Sequence, residues 1–102
     1  MQDDLILVRE KLKFIEKEQI IFPSYACRRA VFRQLSIEEL YDTLLNPQKL
    51  IEVERQIVED EERFNCLFAA GKRRFLRIVL VFEERETRII TVIKLRKQWQ
   101  IR

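Results

Sequence analysis

The spacing of apolar residues changes near Lys49 from a helical period to a period of two, and this change constrains the fold more than any other feature. Before that point, apolar residues recur every three or four positions, as they do on one face of an α-helix. After it, they alternate with polar residues, as in a strand with one exposed face. Helices followed by strands in one short chain predict an α+β fold, with the helices packed on one face of an antiparallel sheet.

The first 34 residues predict two helices separated by a short strand. A first helix occupies residues 1–18, where two aspartates suit its positive N-terminal end. Residues 20–22 predict a strand closed by Pro23, and Ser24 then caps a second helix that runs through Arg33 and Gln34. The apolar stripe of the first helix is Leu5, Val8, Leu12 and Ile15.

Residues 36–39 carry the clearest helix start in the chain. The Ser36 hydroxyl is placed to accept from the amide of Glu39, and the Glu39 carboxylate is placed to accept from the Ser36 N–H, while Leu35 and Leu40 form a hydrophobic staple. The Asn46-Pro47 pair stops this third helix. Its predicted buried stripe is Ile37, Leu40, Tyr41 and Leu44.

The second half predicts a four-stranded antiparallel meander. The first strand begins at Lys49, has Ile51, Val53 and Ile57 on one face, and ends at an acidic turn over residues 59–62. The second strand covers residues 64–70 and turns at Gly71. Residues 74–83 are apolar on both faces and therefore predict the central strand, and residues 88–96 return as the last.

Length and composition exclude several classes of protein. Residues 1–102 suffice for one domain and are too few for two. The chain has no histidine and one glycine, which excludes imidazole-based catalysis, histidine zinc sites and glycine-rich phosphate loops. No metal and no cofactor are expected. The apolar runs are too short for a membrane span and the N-terminus is acidic, so we expect a cytoplasmic protein without membrane association.

The two cysteines, Cys27 and Cys66, are expected to be free thiols, as is usual in a reducing compartment. Cys27 stands beside Arg28 and Arg29, whose charges could lower the pKa of its thiol. A buried structural cysteine is the more common alternative.

Positive charge is concentrated in the last third of the chain. Residues 71–102 carry ten Lys/Arg against three Glu, a net of +7, whereas residues 1–70 have a net of −4. Because this segment predicts strands, its charges would hold fixed positions, as recognition of an anion requires. By simple alternation, Arg88, Lys94 and Arg96 share one face of the last strand, beside a second basic run at the neighbouring turn, Lys72, Arg73 and Arg74. The alternative is protection of an edge strand.

A second basic cluster lies on the predicted second helix: Arg28, Arg29 and Arg33. Arg29 and Arg33 are four residues apart, so they share a helix face and their guanidinium groups could grip one phosphate. The alternative is a solvated face, or ion pairs with Glu38 or Asp42.

Residues 21–47 resemble an uncharacterised prokaryotic domain family. Its motif reads His-Ala-x-x-Arg-x-x-x-Arg, then Ile-Ser-x-Glu-Glu and Asn-Pro, and Tyr25 stands here in place of the histidine. Residues 75–79 and 90–92 resemble the family's final hairpin. The likeness therefore covers about residues 20–95, within a predicted family-like core that spans residues 20–102. That family is similar to RelE- and BrnT-type toxins, which implies a RelE-like fold. The positions that match are Ala26, Arg29, Arg33, Arg77 and Thr91.

Active toxins of that type cleave messenger RNA on the ribosome, so the resemblance implies a toxin–antitoxin-type protein that binds RNA or acts as a ribonuclease through its basic face. RNA or the ribosome and a small acidic antitoxin-like protein are the expected partners. Without histidine, Arg and Lys would stabilise the charged transition state. The expected catalytic residues are Tyr25, Arg29 and Arg77. The expected nucleic-acid-binding residues are Arg28, Arg29, Arg33, Lys72, Arg73, Arg74, Lys94 and Arg96. The alternative is a non-catalytic nucleic-acid-binding or protein-interaction module.

Overall fold

A computed structural model describes residues 2–96, which form three helices and five strands. The α+β class predicted from the change of period is confirmed. The helices are α1 (Gln2–Lys13), α2 (Tyr25–Phe32) and α3 (Ile37–Leu44). The strands are β1 (Ile20–Ile21), β2 (Leu50–Val58), β3 (Glu61–Gly71), β4 (Arg74–Phe82) and β5 (Thr87–Leu95).

The sheet is five-stranded and mixed, in the order β1-β5-β4-β3-β2. The predicted meander of four antiparallel strands is present as β2 to β5, and β4 is the middle strand as expected. The prediction of a purely antiparallel four-stranded sheet was incomplete, because β1 pairs in parallel with the start of β5. A two-residue strand carries no pattern from which its pairing partner could be identified.

All three helices pack on one face of the sheet. One core cluster joins residues of every helix to alternate residues of the strands, and its fully buried members include Val8, Leu12, Leu40, Leu44, Phe64, Phe68, Ile78 and Leu80. The opposite face, called the outer face below, carries the residues in between, including Asn65, Leu67, Phe75, Arg77, Val81, Ile93 and Leu95. The alternation thus separates a helix-covered face from one that no described helix covers.

The helix caps follow the sequence, with two corrections. The Ser24 and Ser36 hydroxyls each accept from the amide three residues on, at 3.1 Å. The Glu39 carboxylate does not return to the Ser36 N–H as predicted, because it binds Arg74 instead. α1 ends at Lys13 and not near residue 18, because residues 17–19 form a separate 3-10 turn. That turn is closed by Glu16 N–H, which donates to Gln19 Oε1 at 2.7 Å.

Two bulges overturn the predicted alternation of faces. A register shift between Leu50 and Glu52 buries Leu50 and leaves Ile51 exposed. Ile57, near the end of the same strand, is exposed as well, so neither isoleucine lies in the core. In β5, Ile89 pairs with Leu80 while Thr91 pairs with Val79, which makes Ile90 an extra residue. A single inserted residue sends every later side chain to the other face.

The β5 bulge separates two cations that were predicted to share a face. Arg88 pairs with Val81 and lies on the outer face, whereas Lys94 pairs with Leu76 and lies on the helix-covered side. The predicted basic strip of Arg88, Lys94 and Arg96 therefore does not exist as one row.

Candidate functional site

A basic cleft lies where the β3–β4 turn meets the end of β5. The cleft has a volume of about 430 Å³ and is lined by Lys72, Arg73, Arg74, Phe75, Leu76, Lys94, Leu95 and Arg96. Antiparallel pairing creates it, because the register sets Phe75 opposite Leu95 and Leu76 opposite Lys94. The first residues of β4 thereby meet the last residues of β5, and two basic runs that are about twenty positions apart in the chain line one cavity.

The cations of the basic cleft differ in their partners. Within residues 2–96, Lys72, Arg73 and Lys94 form no ion pair and are exposed. The Arg74 Nη2 donates to Glu39 Oε2 at 2.6 Å, so one lining cation is paired with a carboxylate from α3 that is not itself a lining residue. Three unneutralised cations around one cavity create a local positive potential that attracts anions.

The turn that carries this charge has a defined backbone. Gly71 has a φ of 147° and Arg73 a φ of 56°, so the chain reverses through two residues with positive φ. Glycine accepts such a conformation without steric cost, since it has no Cβ. The single glycine of the chain thus stands where the turn that presents Lys72 and Arg73 requires it.

The basic cluster at α2 is exposed, and two of its three arginines stack on aromatic rings. The Arg28 guanidinium lies 5.4 Å from the centre of the Phe32 ring, and that of Arg29 lies 5.8 Å from the centre of the Tyr25 ring. No ion pair of Arg28, Arg29 or Arg33 with Glu38 or Asp42 occurs in the described part of the chain. The cluster is therefore a solvated surface with its charges available, and Tyr25 is itself exposed.

The three residues predicted for catalysis are divided between two elements. Tyr25 and Arg29 lie together on α2, whereas Arg77 lies on the outer face of β4. The Arg77 Nη1 donates to Asn65 Oδ1 at 3.0 Å, which ties its guanidinium to β3. Among residues 2–96, no hydrogen bond or ring contact joins Arg77 to Tyr25 or Arg29.

A network of charges that the sequence did not indicate lies on the outer face. Glu61 binds both Arg88 and Arg63, and the Arg88 Nε lies 3.3 Å from Glu83 Oε2. The Arg88 side chain is only 18% exposed, so its charge is largely withdrawn from solvent. Its neutralisation depends on the meeting of β3, β5 and the turn that follows β4, and no local spacing reveals that meeting.

Acid is expected to weaken this network. The hydrogen bond from Arg88 holds the pKa of Glu61 below its usual value, so the folded state favours the charged carboxylate more than the unfolded state does. The resulting stability is present above the unfolded pKa of about 4.3 and is lost as pH falls through the lower folded pKa. Denaturant unfolding at pH 7 should show Glu61→Gln to be less stable than the wild type. Between pH 5 and pH 3, the variant should lose less free energy of unfolding than the wild type loses.

The matched control is Glu84→Gln, which removes the same charge from an exposed turn residue. It should leave the pH profile of stability unchanged. A Glu61→Gln profile that runs parallel to that of the wild type would show that the network does not contribute to stability.

Both cysteines are free thiols, and neither is activated. The Cys27 Sγ donates to the carbonyls of Ile89 and Ile90, at 3.0 and 3.2 Å, and so binds the bulge of β5. Desolvation raises the pKa of Cys27 above its ordinary value, which favours the structural alternative over a thiol activated by Arg28 and Arg29. Burial raises the pKa of Cys66 to about 12. The two thiols are therefore structural residues.

Two kinds of feature are absent from residues 2–96. No helix in that range is long and apolar enough to cross a membrane. No group of three or more Cys, Asp or Glu side chains in the same range is arranged to hold a metal ion.

Comparison with known proteins identifies a family. Searches of curated proteins and of solved structures give no match. A family described as "Domain of unknown function (DUF4258)" matches residues 24–94, from the cap of α2 to the end of β5, and this is more than half of the chain. The expectation of an uncharacterised domain family is thereby confirmed, and the chain belongs to the DUF4258 family.

Proposed function

We propose that this protein binds single-stranded RNA through the basic cleft. The observation that carries the proposal is the convergence of Lys72, Arg73 and Lys94, none of them ion-paired in the described structure, on one cavity. Protein–nucleic acid affinity comes largely from neutralised phosphates, and these three ammonium and guanidinium groups are suited to that contact. The resemblance to RelE-type toxins is the reason for choosing RNA.

The apolar lining of the cleft supports an unpaired base as the second contact. Phe75 and Leu95 are opposite each other on the outer face and half-buried, whereas Lys94 lies on the helix-covered side. A base that stacks on an aromatic ring contributes about 1–3 kcal/mol. In a duplex the bases are stacked on one another inside the helix, so only a single strand can offer a base to Phe75.

The arrangement favours binding over cleavage. Cleavage would require Tyr25, Arg29 and Arg77 to act on one phosphate, and they lie on α2 and on the outer face of β4 without a shared contact in the described residues. The exposed pair of Tyr25 and Arg29 is suited instead to a second phosphate of the same strand.

Fluorescence anisotropy with a labelled 12-nucleotide single-stranded RNA tests this function. We expect binding that weakens steeply with salt, a much lower affinity for the same sequence as a duplex, and weaker binding of polyglutamate at equal charge. Equal affinity for RNA and polyglutamate would favour an acidic protein partner. An absence of RNA binding at low salt would overturn the proposal. The RNA is examined on a gel afterwards, and fragments absent from a no-protein control would add cleavage to binding.

A further inference from the structure

One cation of the basic cleft, Arg74, is paired with an anion of the protein's own. The Glu39 carboxylate accepts from Arg74 Nη2 at 2.6 Å, and Arg74 is a lining residue of the cleft. Arg74 therefore differs from Lys72, Arg73 and Lys94, which form no ion pair in the described part of the chain. The carboxylate occupies one donor of the Arg74 guanidinium, Nη2, to which an anionic group of a ligand could otherwise bind.

Glu39 stands at a helix position where a glutamate carboxylate usually has a different hydrogen-bond partner. Glu39 is the third residue of α3, and its own amide donates to Ser36 Oγ at 3.1 Å. A glutamate there would ordinarily accept from the N–H of the capping serine. That return bond is absent among the described residues, and the carboxylate extends to β4 instead. The side chain thus leaves a local partner for one at the cleft.

We infer that Glu39 acts as a competing anion that sets the selectivity of the basic cleft, an inference that rests on the proposed RNA binding. The Arg74 guanidinium offers a fork of donors that a phosphate can bind through two hydrogen bonds, and Glu39 occupies part of that fork. A ligand phosphate must displace the carboxylate before it gains both bonds.

The competition is weak enough to be reversed by a ligand. Both side chains of the pair are substantially exposed, at 51% for Arg74 and 36% for Glu39. An exposed ion pair corresponds to a factor of about two to five in an equilibrium constant. A single anion gains little after displacing Glu39, whereas a strand already held by Lys72, Arg73 and Lys94 delivers its next phosphate at high effective concentration. Glu39 therefore weakens the binding of any anion at Arg74, and a polyanion with further contacts tolerates that loss better than an isolated anion does.

The test compares Glu39→Gln with Glu38→Gln, using the labelled 12-nucleotide RNA. Glu38 is the neighbouring residue of α3, is exposed and forms no ion pair in the described structure, so its variant removes the same charge without touching Arg74. At about 50 mM salt, Glu39→Gln should bind RNA about two- to fivefold more tightly than Glu38→Gln. In an Arg74→Gln background, the two variants should bind equally. Circular dichroism checks that each variant is folded.

Each outcome of this comparison either supports or overturns the competing role of Glu39. Equal affinities of Glu39→Gln and Glu38→Gln, with the wild type binding RNA, would overturn the role of Glu39 and leave the proposed function intact. Weaker binding by Glu39→Gln would mean that Glu39 positions Arg74 for the ligand, which also contradicts competition. A wild-type protein that does not bind RNA would overturn both proposals.

Discussion

Replacing Lys72, Arg73 and Lys94 together by glutamine is expected to reduce affinity for single-stranded RNA about tenfold or more at low salt. These are the cleft cations without an ion pair in the described structure, so their removal frees no buried carboxylate and leaves the core untouched. Each phosphate contact on a single strand contributes about 0.7 to the slope of log K against log salt. The triple variant should therefore show a slope shallower by about 2, measured by anisotropy between about 50 and 300 mM salt.

The matched control neutralises three lysines elsewhere: Lys11, Lys13 and Lys17. Lys11 lines a different cavity, beside the β4–β5 turn at the opposite end of those strands from the basic cleft. Both triple variants change the net charge by the same amount, so a difference between them reports position and not total charge. If both lose affinity and slope equally, the cleft is not the binding site.

Replacing Phe64 by alanine is expected to lower the free energy of unfolding more than any of the surface substitutions described above. Phe64 is 1% exposed, lies in the core cluster, and its ring centre is 5.7 Å from that of Phe82. Removing a buried phenylalanine ring costs about 3–5 kcal/mol, because transfer free energy is lost and a cavity remains. Small domains have a total free energy of unfolding of roughly 5–15 kcal/mol. Urea denaturation followed by circular dichroism should show a large decrease in the midpoint.

Phe14→Ala is the control for that experiment, since it makes the same chemical change at a residue that is 79% exposed. An exposed substitution of this kind typically changes the free energy of unfolding by about 0.5 kcal/mol or less. A Phe64→Ala variant no less stable than Phe14→Ala would contradict the position of Phe64 in the core.

The helix starts could be predicted because their causes are local. The Ser24 and Ser36 caps each depend on a hydroxyl and an amide three residues apart, and both form as the sequence indicates. The end of α1 was misplaced because Ile15 continued the apolar spacing, although the chain had already left the helix after Lys13. A helix end requires partners for its last carbonyls, and apolar spacing does not report them.

The strands could be predicted as elements, whereas their faces could not. Alternation identified the four strands of the meander and the central position of β4. The bulge at Ile90 then placed Arg88 and Lys94 on opposite faces, and the bulge near Ile51 exposed a residue expected in the core. A bulge depends on how two strands pair and on which groups donate hydrogen bonds to its carbonyls. Here the donor is Cys27 of α2. The sequence of one strand therefore does not reveal a bulge.

The candidate site, too, could be predicted from the sequence only in part. The sequence alone determined the residue types, the concentration of cations after Gly71, and the turn that presents Lys72 and Arg73. The predicted meander also set Lys94 beside that turn. Only the tertiary structure placed Lys94 on the face opposite to Arg88, separated Arg77 from Tyr25 and Arg29, and supplied Glu39 as the partner of Arg74. The physical reason is range: caps, turns and periodicity act over a few residues, whereas a cavity and its charge depend on strand register between segments far apart in the chain.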